Sequence, residues 1–296
     1  MAAQLLSGAP VAEAVLARVA ERASALSARG VVPTLATVLV GDNPDSVGYV
    51  LKKHETCARA GIAVRDVRLP ADVGLAALLG EIQQLNVDPL VHGVIVQSPL
   101  PGALDFNTAL LAIAPSKDAD GLHPESLGRL ALGLPGPLAA TPAGILAMFV
   151  HYGIDVAGRH VVILGRGPTI GRPLSLLLSA KRPGGNAVVT LLHGQVEGWE
   201  RFTRQADVVI VGVGKPHLLV PDAVRPGAVV VSVGITWQGK KLVPDVAPEV
   251  ADVASWITPR LGGVGVMTVA MLLANTLALA EATADARGPA ATGSRP

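Results

Sequence analysis

His160-Val-Val-Ile-Leu-Gly165-Arg-Gly167-Pro-Thr-Ile-Gly171 decides how this chain is read. A short apolar run enters a glycine-rich turn, and a leucine-rich helical pattern, Pro173 to Ala180, follows it. Gly165, Gly167 and Gly171 stand in a G-x-G-x-x-x-G spacing between strand and helix. Such a turn presents backbone N–H groups and a helix N-terminus to a phosphate, so the stretch predicts a bound dinucleotide.

Outward from this turn, apolar strands alternate with helical patterns. Strands are expected at Thr34–Gly41, Ala63–Leu69, His92–Gln97, His160–Gly165, Ala187–His193, Asp207–Gly214 and Ala228–Gly234, with helices at Ser46–Ala60 and Gly74–Leu85. This order predicts an α/β protein with parallel sheets and right-handed crossovers. Two domains suit the 296-residue length. The expected organisation is a parallel-sheet substrate domain, 1–139, and a Rossmann-type dinucleotide-binding domain, 140–266. Thr141-Pro142 reads as a helix start with proline at its first position. The last helix, 267–284, is expected to return to the first domain, and 287–296, small and polar, to be a disordered tail.

Composition narrows the function. The net charge is +1, which favours neither nucleic acid nor an anionic membrane surface. Half of the residues are hydrophobic and 3% aromatic, as in buried parallel strands under helices. Cys57 is the single cysteine, so no intrachain disulfide can form and a cytoplasmic setting is expected. Met1–Leu16 lacks a basic region followed by a continuous apolar core, so no signal peptide is expected. Val264–Ala280 is uncharged but carries Thr268, Asn275 and Thr276, and reads as a buried helix short for a bilayer. Seven scattered histidines form no ligand spacing with carboxylates, so no metal site is expected.

Cofactor choice turns on the end of the second dinucleotide-domain strand. NAD-selective sites place Asp or Glu there for the ribose hydroxyls. This chain has Leu192-His193-Gly194-Gln195-Val196, with no carboxylate to repel a 2′-phosphate and with Arg166 within possible reach. NADP is favoured, and NAD stays open.

In the first half, Tyr49 and Lys53 share a helix face four residues apart, and Ser46 can cap that helix. Gln97 ends a strand ahead of Pro99 and Pro101, and Asp120 lies in the turn-rich Lys117-Asp-Ala-Asp120-Gly121. Taken singly, these residues are compatible with ordinary surface charge and packing. Their combination is more specific. Val40-Gly-Asp-Asn-Pro-Asp-Ser46-Val-Gly-Tyr49-Val-Leu-Lys-Lys53 and Gly93-Val-Ile-Val-Gln97-Ser-Pro-Leu-Pro101 resemble two signatures of the methylenetetrahydrofolate dehydrogenase/cyclohydrolase family. Lys117–Gly121, Thr141-Pro142-Ala-Gly144 and Gly262-Gly-Val-Gly265-Val-Met267-Thr268 match further segments in order.

The resemblance implies oxidation of 5,10-methylenetetrahydrofolate with NADP and hydrolysis of the methenyl product to 10-formyltetrahydrofolate. It implies that Lys53 handles the proton in the hydrolytic step, that Gln97 holds and tunes Lys53, that Tyr49 stacks on the folate and that Asp120 bonds the pterin. Gly262 would line the folate pocket; Gly165, Arg166, Gly167, Gly171 and Ile235 would hold the cofactor. A homodimer is implied as well. A lysine doing this work should be partly neutral at its working pH.

The departures from the family pattern gather in the cofactor half. Gly167 stands where the family commonly has serine, and His193-Gly194-Gln195-Val196 lacks the serine and basic residue often found around the 2′-phosphate. Ser232 replaces an aspartate, and Arg260 and Val266 replace residues of the last glycine segment. A dehydrogenase-only or NAD-preferring enzyme, and a non-catalytic paralogue, are the alternative readings.

Overall fold

The computed structural model describes residues 3–239 and 241–287. In chain order the elements are β1 (Gln4–Leu5), α1 (Ala9–Ala28), β2 (Thr34–Val40), α2 (Pro44–Arg59), β3 (Ala63–Leu69), α3 (Leu75–Val87), β4 (Gly93–Val96), α4 (Phe106–Ala112), α5 (Pro124–Ala131) and α6 (Ala140–His151). Then follow β5 (His160–Leu164), α7 (Gly171–Ser179), β6 (Val188–Leu192), α8 (Glu200–Thr203), β7 (Val208–Val211), β8 (Val229–Ser232), β9 (Ile235–Gln238), β10 (Lys241–Pro244), β11 (Trp256–Ile257) and α9 (Val264–Arg287).

Two compact units emerge. One comprises Val15–Ser126 and Leu272–Pro296, the other Met1–Ala14 and Leu127–Met271. The chain passes between them within α1, α5 and α9. These limits differ from the expected 1–139 and 140–266. The reason at the N-terminus is pairing: β1 lies parallel to β11, with Gln4 opposite Trp256, and so joins the dinucleotide-type sheet.

The first unit is built on a parallel three-stranded sheet in the order β3-β2-β4. Beyond Thr34, the central strand β2 is a run of aliphatic residues and Thr37, all buried, as a strand covered on both faces must be. The edge strand β3 is more polar, and Arg68 pairs with Asp66 along it. Ala36, Val38, Val40, Val94 and Val96 pack against Leu78, Ile82 and Leu85 of α3. At roughly 1.5–3 kcal/mol for each fully buried large aliphatic side chain, this layer supplies the driving force that fixes the ends of β2 and β4. The C-terminal half of α9 belongs here: Thr276, together with Ala119, crowds the place a side chain on Gly93 would take, and Asn275 Nδ2 donates to the Ala119 carbonyl at 2.9 Å.

The second unit holds a six-stranded sheet, β1-β11-β8-β7-β5-β6, all parallel. Chain order reverses on either side of β5, which puts a crevice at the carboxyl ends of β5 and β7. The antiparallel hairpin β9–β10 lay outside the sequence expectation, which contained only parallel strands.

Two helix starts differ from expectation. Ser46 does not cap α2; Asn43 does, its side-chain oxygen accepting from the N–H groups of Asp45 and Ser46 at 3.0 and 3.2 Å, with Pro44 at the first helical position. Ser46 is instead a buried residue of the first turn. Likewise α6 begins at Ala140 rather than at Thr141-Pro142, so Pro142 sits third in the helix, where an N–H would still have no intrahelical partner. Thr141 uses its hydroxyl against Thr268, with the two oxygens 2.9 Å apart.

The last helix is also longer than expected. At 24 residues, α9 is long and apolar enough to cross a bilayer by length and composition. Met267, Ala270, Leu273, Thr276, Leu277 and Ala280 are fully buried within the protein, as in the core-helix reading. The expected tail starts at Arg287, the last residue of α9; 288–296 lie outside the described residues.

Candidate active site

Helix α2 buries one face, formed by Ser46, Val50, Lys53 and Cys57. Lys53 therefore occupies a position that an amphipathic helix normally gives to an apolar residue. It is only 6% exposed, so its amine needs partners. Lys53 Nζ donates to Gln97 Oε1 at 3.0 Å. Gln97 is carried just past β4, where its N–H extends the ladder to the Val38 carbonyl at 2.8 Å. Its side-chain amide is oriented by a second bond, Nε2 to the Ser98 carbonyl at 2.7 Å, which leaves the oxygen facing the lysine. One helical turn before Lys53, the Tyr49 ring lies with its centroid 4.9 Å from Nζ, in cation–π range. Tyr49 remains 37% exposed, so ring surface is left for a flat ligand.

Asp120 completes the group through its loop. Asp118, two residues earlier and fully buried, accepts from Gly121 N at 3.0 Å, His123 N at 2.8 Å and Ser126 Oγ at 2.7 Å. The loop is thus wound around the Asp118 carboxylate, leaving the Asp120 carboxyl to interact with Lys53. Burial raises the Asp120 carboxyl above its usual range, against the pull of the Lys53 ammonium; the Asp118 charge adds to the rise. Burial lowers Lys53 from the usual lysine range, and Asp120 and then Cys57 oppose the shift. The Cys57 thiol is pushed up to about 12 by burial, which keeps it a protonated, inert neighbour. Tyr49 is raised too, by burial and then by the Asp120 charge. The cluster is a desolvated amine with one neutral acceptor and one carboxylate, an arrangement that makes the amine easier to deprotonate than an exposed lysine.

The expected dinucleotide residues lie in the other compact unit. Gly165 follows β5 with φ +117°, and its N–H bonds the Leu192 carbonyl at 3.0 Å. A Cβ there would overlap the Gly212 carbonyl oxygen, and a Cβ on Gly171 would overlap the carbonyl oxygen of Gly165. Backbone therefore packs on backbone at the head of α7, a cradle that any side chain would fill. Helix α7 starts without a side-chain cap, as suits an N-terminus that faces an anion. A Cβ on Gly167 would meet no atom within 4 Å, so its side of the turn is open. Arg166 is exposed on the same turn. These features fit a dinucleotide pyrophosphate.

Ile235 opens β9 and is 46% exposed. The Gly262 carbonyl accepts from Gly8 N at 2.8 Å and Ala9 N at 3.1 Å. Gly262 thus belongs to the unit of the six-stranded sheet and not to that of Lys53. Arg260 donates from Nη1 to the Leu242 carbonyl at 3.4 Å. Among the described residues no cluster of three or more His, Cys, Asp or Glu side chains could hold a metal ion.

Sequence reasoning missed three residues that shape these regions: Asn43, Asp118 and Asp245. Asn-Pro before a helix pattern was a readable signal for the first. Asp118 sits inside a quoted motif, but only its burial separates its role from that of Asp120. Asp245, fully buried, accepts from Val213 N at 2.7 Å and Gly214 N at 2.9 Å, a long-range bond with no sequence signal.

Together, a glycine-cradled Rossmann-type sheet and a separate parallel unit with an amide-held buried lysine define a two-domain dinucleotide-dependent α/β enzyme. Comparison with known proteins specifies it. Residues 6–120 match the catalytic domain of tetrahydrofolate dehydrogenase/cyclohydrolase, and residues 139–284 match its NAD(P)-binding domain. The chain is similar to the bifunctional protein FolD of Syntrophotalea carbinolica, at 53% identity over 97% of this chain and 99% of that protein. Among solved structures it is similar to the bifunctional FolD enzyme of Campylobacter jejuni, with a TM-score of 0.91 and 39% identity over 95% of this chain and 99% of that one. It is also similar to the Trypanosoma brucei methylenetetrahydrofolate dehydrogenase-cyclohydrolase, solved with NADP cofactor and an inhibitor (TM-score 0.89, 34% identity, 96% and 99% covered). The protein belongs to the tetrahydrofolate dehydrogenase/cyclohydrolase family.

Proposed function

We propose that the protein oxidises 5,10-methylenetetrahydrofolate to the 5,10-methenyl form with NADP and hydrolyses that product to 10-formyltetrahydrofolate. The 3.0 Å bond between Lys53 Nζ and Gln97 Oε1, inside a cluster with Tyr49 and Asp120, carries this reading. Bound nicotinamide supplies the acceptor for the hydride that leaves the carbon bridging N5 and N10. Gly165, Arg166, Gly167, Gly171 and Ile235 hold the dinucleotide, and Gly262 lines the folate pocket. Orientation by these residues, more than acid–base chemistry, serves the first step.

The second step needs proton transfer. Water adds to the bridging carbon, and neutral Lys53 accepts a proton from it. The carbon–N5 bond then breaks as N5 takes up a proton, which leaves the formyl group on N10 and one proton released to solvent. Gln97 keeps the amine aimed, Asp120 bonds the pterin, and Tyr49 stacks on it. A fixed cation would do this poorly, and the lowered pKa of Lys53 supports the role.

The reading includes a homodimer working in the cytoplasm, supported by the family resemblance and by the single, buried, unpaired cysteine. Hydride transfer and methenyl hydrolysis should be assayed side by side, with NADP and NAD, in wild type and Lys53→Gln. The expected result is hydride transfer that persists in the mutant while ring opening collapses. Equal loss of both would overturn the role given to Lys53, and absent turnover in wild type would overturn the activity.

A further inference from the structure

The turn after β6 poses a question of charge. In a Rossmann-type sheet this turn meets the adenosine ribose, and a cation there accommodates a 2′-phosphate. Here the turn is His193-Gly194-Gln195-Val196, without a basic residue of fixed charge. The His193 ring is occupied within the turn, its Nδ1 accepting from Gln195 N at 3.4 Å.

A cation arrives from elsewhere in the same unit. Lys215 follows β7 in Gly212-Val-Gly-Lys215, and its Nζ stands 4.0 Å from where a Cβ of Gly194 would be. Gly194 is exposed and has no side chain, so the space beside the amine is free. Lys215 is itself exposed and makes no ion pair among the described residues. Its backbone is held from beneath: the buried Asp245 carboxylate accepts from Val213 N and Gly214 N, the two residues that precede Lys215. The Asp245 backbone is in turn anchored to Gly234 and Leu219, with its N–H on one carbonyl and its own carbonyl under the other's N–H, both at 3.1 Å. An exposed ammonium on a pinned loop, beside the ribose-facing turn, is the arrangement that anion recognition needs.

We propose that Lys215 is the cation that binds the adenosine 2′-phosphate and sets the preference for NADP over NAD. This rests on the dinucleotide role proposed above, and on Lys215 supplying from the third strand's loop what the second strand's turn lacks. The test is calorimetric titration of 2′,5′-ADP and of 5′-AMP against wild type, Lys215→Gln, Lys215→Arg and Arg166→Gln, each at low and high salt. A charge-assisted contact of this kind should cost Lys215→Gln about tenfold or more in affinity for 2′,5′-ADP. Binding of 5′-AMP should change by no more than about twofold, since it lacks the phosphate. The salt dependence of 2′,5′-ADP binding should flatten in Lys215→Gln, and Lys215→Arg should retain the discrimination. Unchanged 2′,5′-ADP binding in Lys215→Gln, equal loss of both ligands, or discrimination carried wholly by Arg166 would each overturn the assignment to Lys215. A wild type that binds the two ligands alike would overturn the NADP reading itself.

Discussion

The Lys53 cluster and the glycine cradle hold their ligand-facing atoms in opposite ways. Around Lys53, side chains do the holding: an amide oxygen at 3.0 Å, an aromatic face at 4.9 Å, and a carboxylate that shifts the amine's pKa. At Gly165 and Gly171 the backbone holds itself, carbonyl against glycine, and side chains matter chiefly by their absence. Proton transfer needs particular groups at bonding distance, whereas a pyrophosphate needs a particular path of N–H groups. The chain matches its family pattern residue by residue at Tyr49, Lys53, Gln97 and Asp120, whereas the glycine turn differs from it at Gly167 and the turn after β6 differs at Gly194 and Gln195.

The largest effect that would test the contrast is Lys53→Gln. General acid–base contributions run to about 10²–10⁴-fold, and ring opening, followed by decay of methenyl absorbance, should fall within that range. Hydride transfer, followed by reduced nicotinamide formation, should fall far less. Gly171→Ala should produce the mirror image. The added methyl collides with the Gly165 carbonyl, so the turn must shift, at a cost of about 1–3 kcal/mol in thermal or denaturant unfolding. Dinucleotide affinity and hydride transfer should drop while methenyl hydrolysis is largely retained. If each substitution impaired both activities alike, the two regions would not be separable as described.

A subtler effect comes from Asp120→Asn. Neutral Lys53 is the form that accepts a proton, so the rate of ring opening rises with pH through the lysine's pKa. Burial already places that rise below the usual lysine range, and the Asp120 charge works against the shift. Removing the charge lets the pKa fall further, so the rising limb should move to lower pH. A limb that stayed in place or moved up would show that Asp120 is not electrostatically coupled to the amine. The measurement is the pH profile of methenyl hydrolysis, compared with the wild-type profile.

How much of this was readable in the sequence follows the same division. Runs such as Thr34–Val40 and His160–Leu164 announce themselves because buried parallel strands are largely aliphatic. The two-residue strands β1 and β11 have no period to read, and their partnership joins residues at opposite ends of the chain. The hairpin β9–β10 is short, with Gly239 near its turn, and was hidden by the expectation of parallel strands alone. Lys53, Gln97 and Asp120 were legible as a set because they resemble a family pattern, but each alone looks like a surface polar residue. Asp118, Asp245 and Lys215 act through burial or through contacts between distant loops, which composition and spacing do not record.

The smallest expected effect is also the sharpest check on the cradle. Gly167 lies in the same turn as Gly165 and Gly171, yet its φ is not in the left-handed region and no atom lies within 4 Å of a Cβ placed on it. Serine, the residue common in the family, should therefore enter without strain. Its effect on stability should come mainly from the unfolded chain, which loses conformational freedom, and so be a gain of about 0.4–1 kcal/mol. The melting temperature of Gly167→Ser should rise slightly, and dinucleotide affinity should hold or improve as a hydroxyl joins the N–H groups at the head of α7. A fall in melting temperature would mean that the turn needs glycine at all three positions, and that side chains are excluded from the whole cradle rather than from its two backbone crossings.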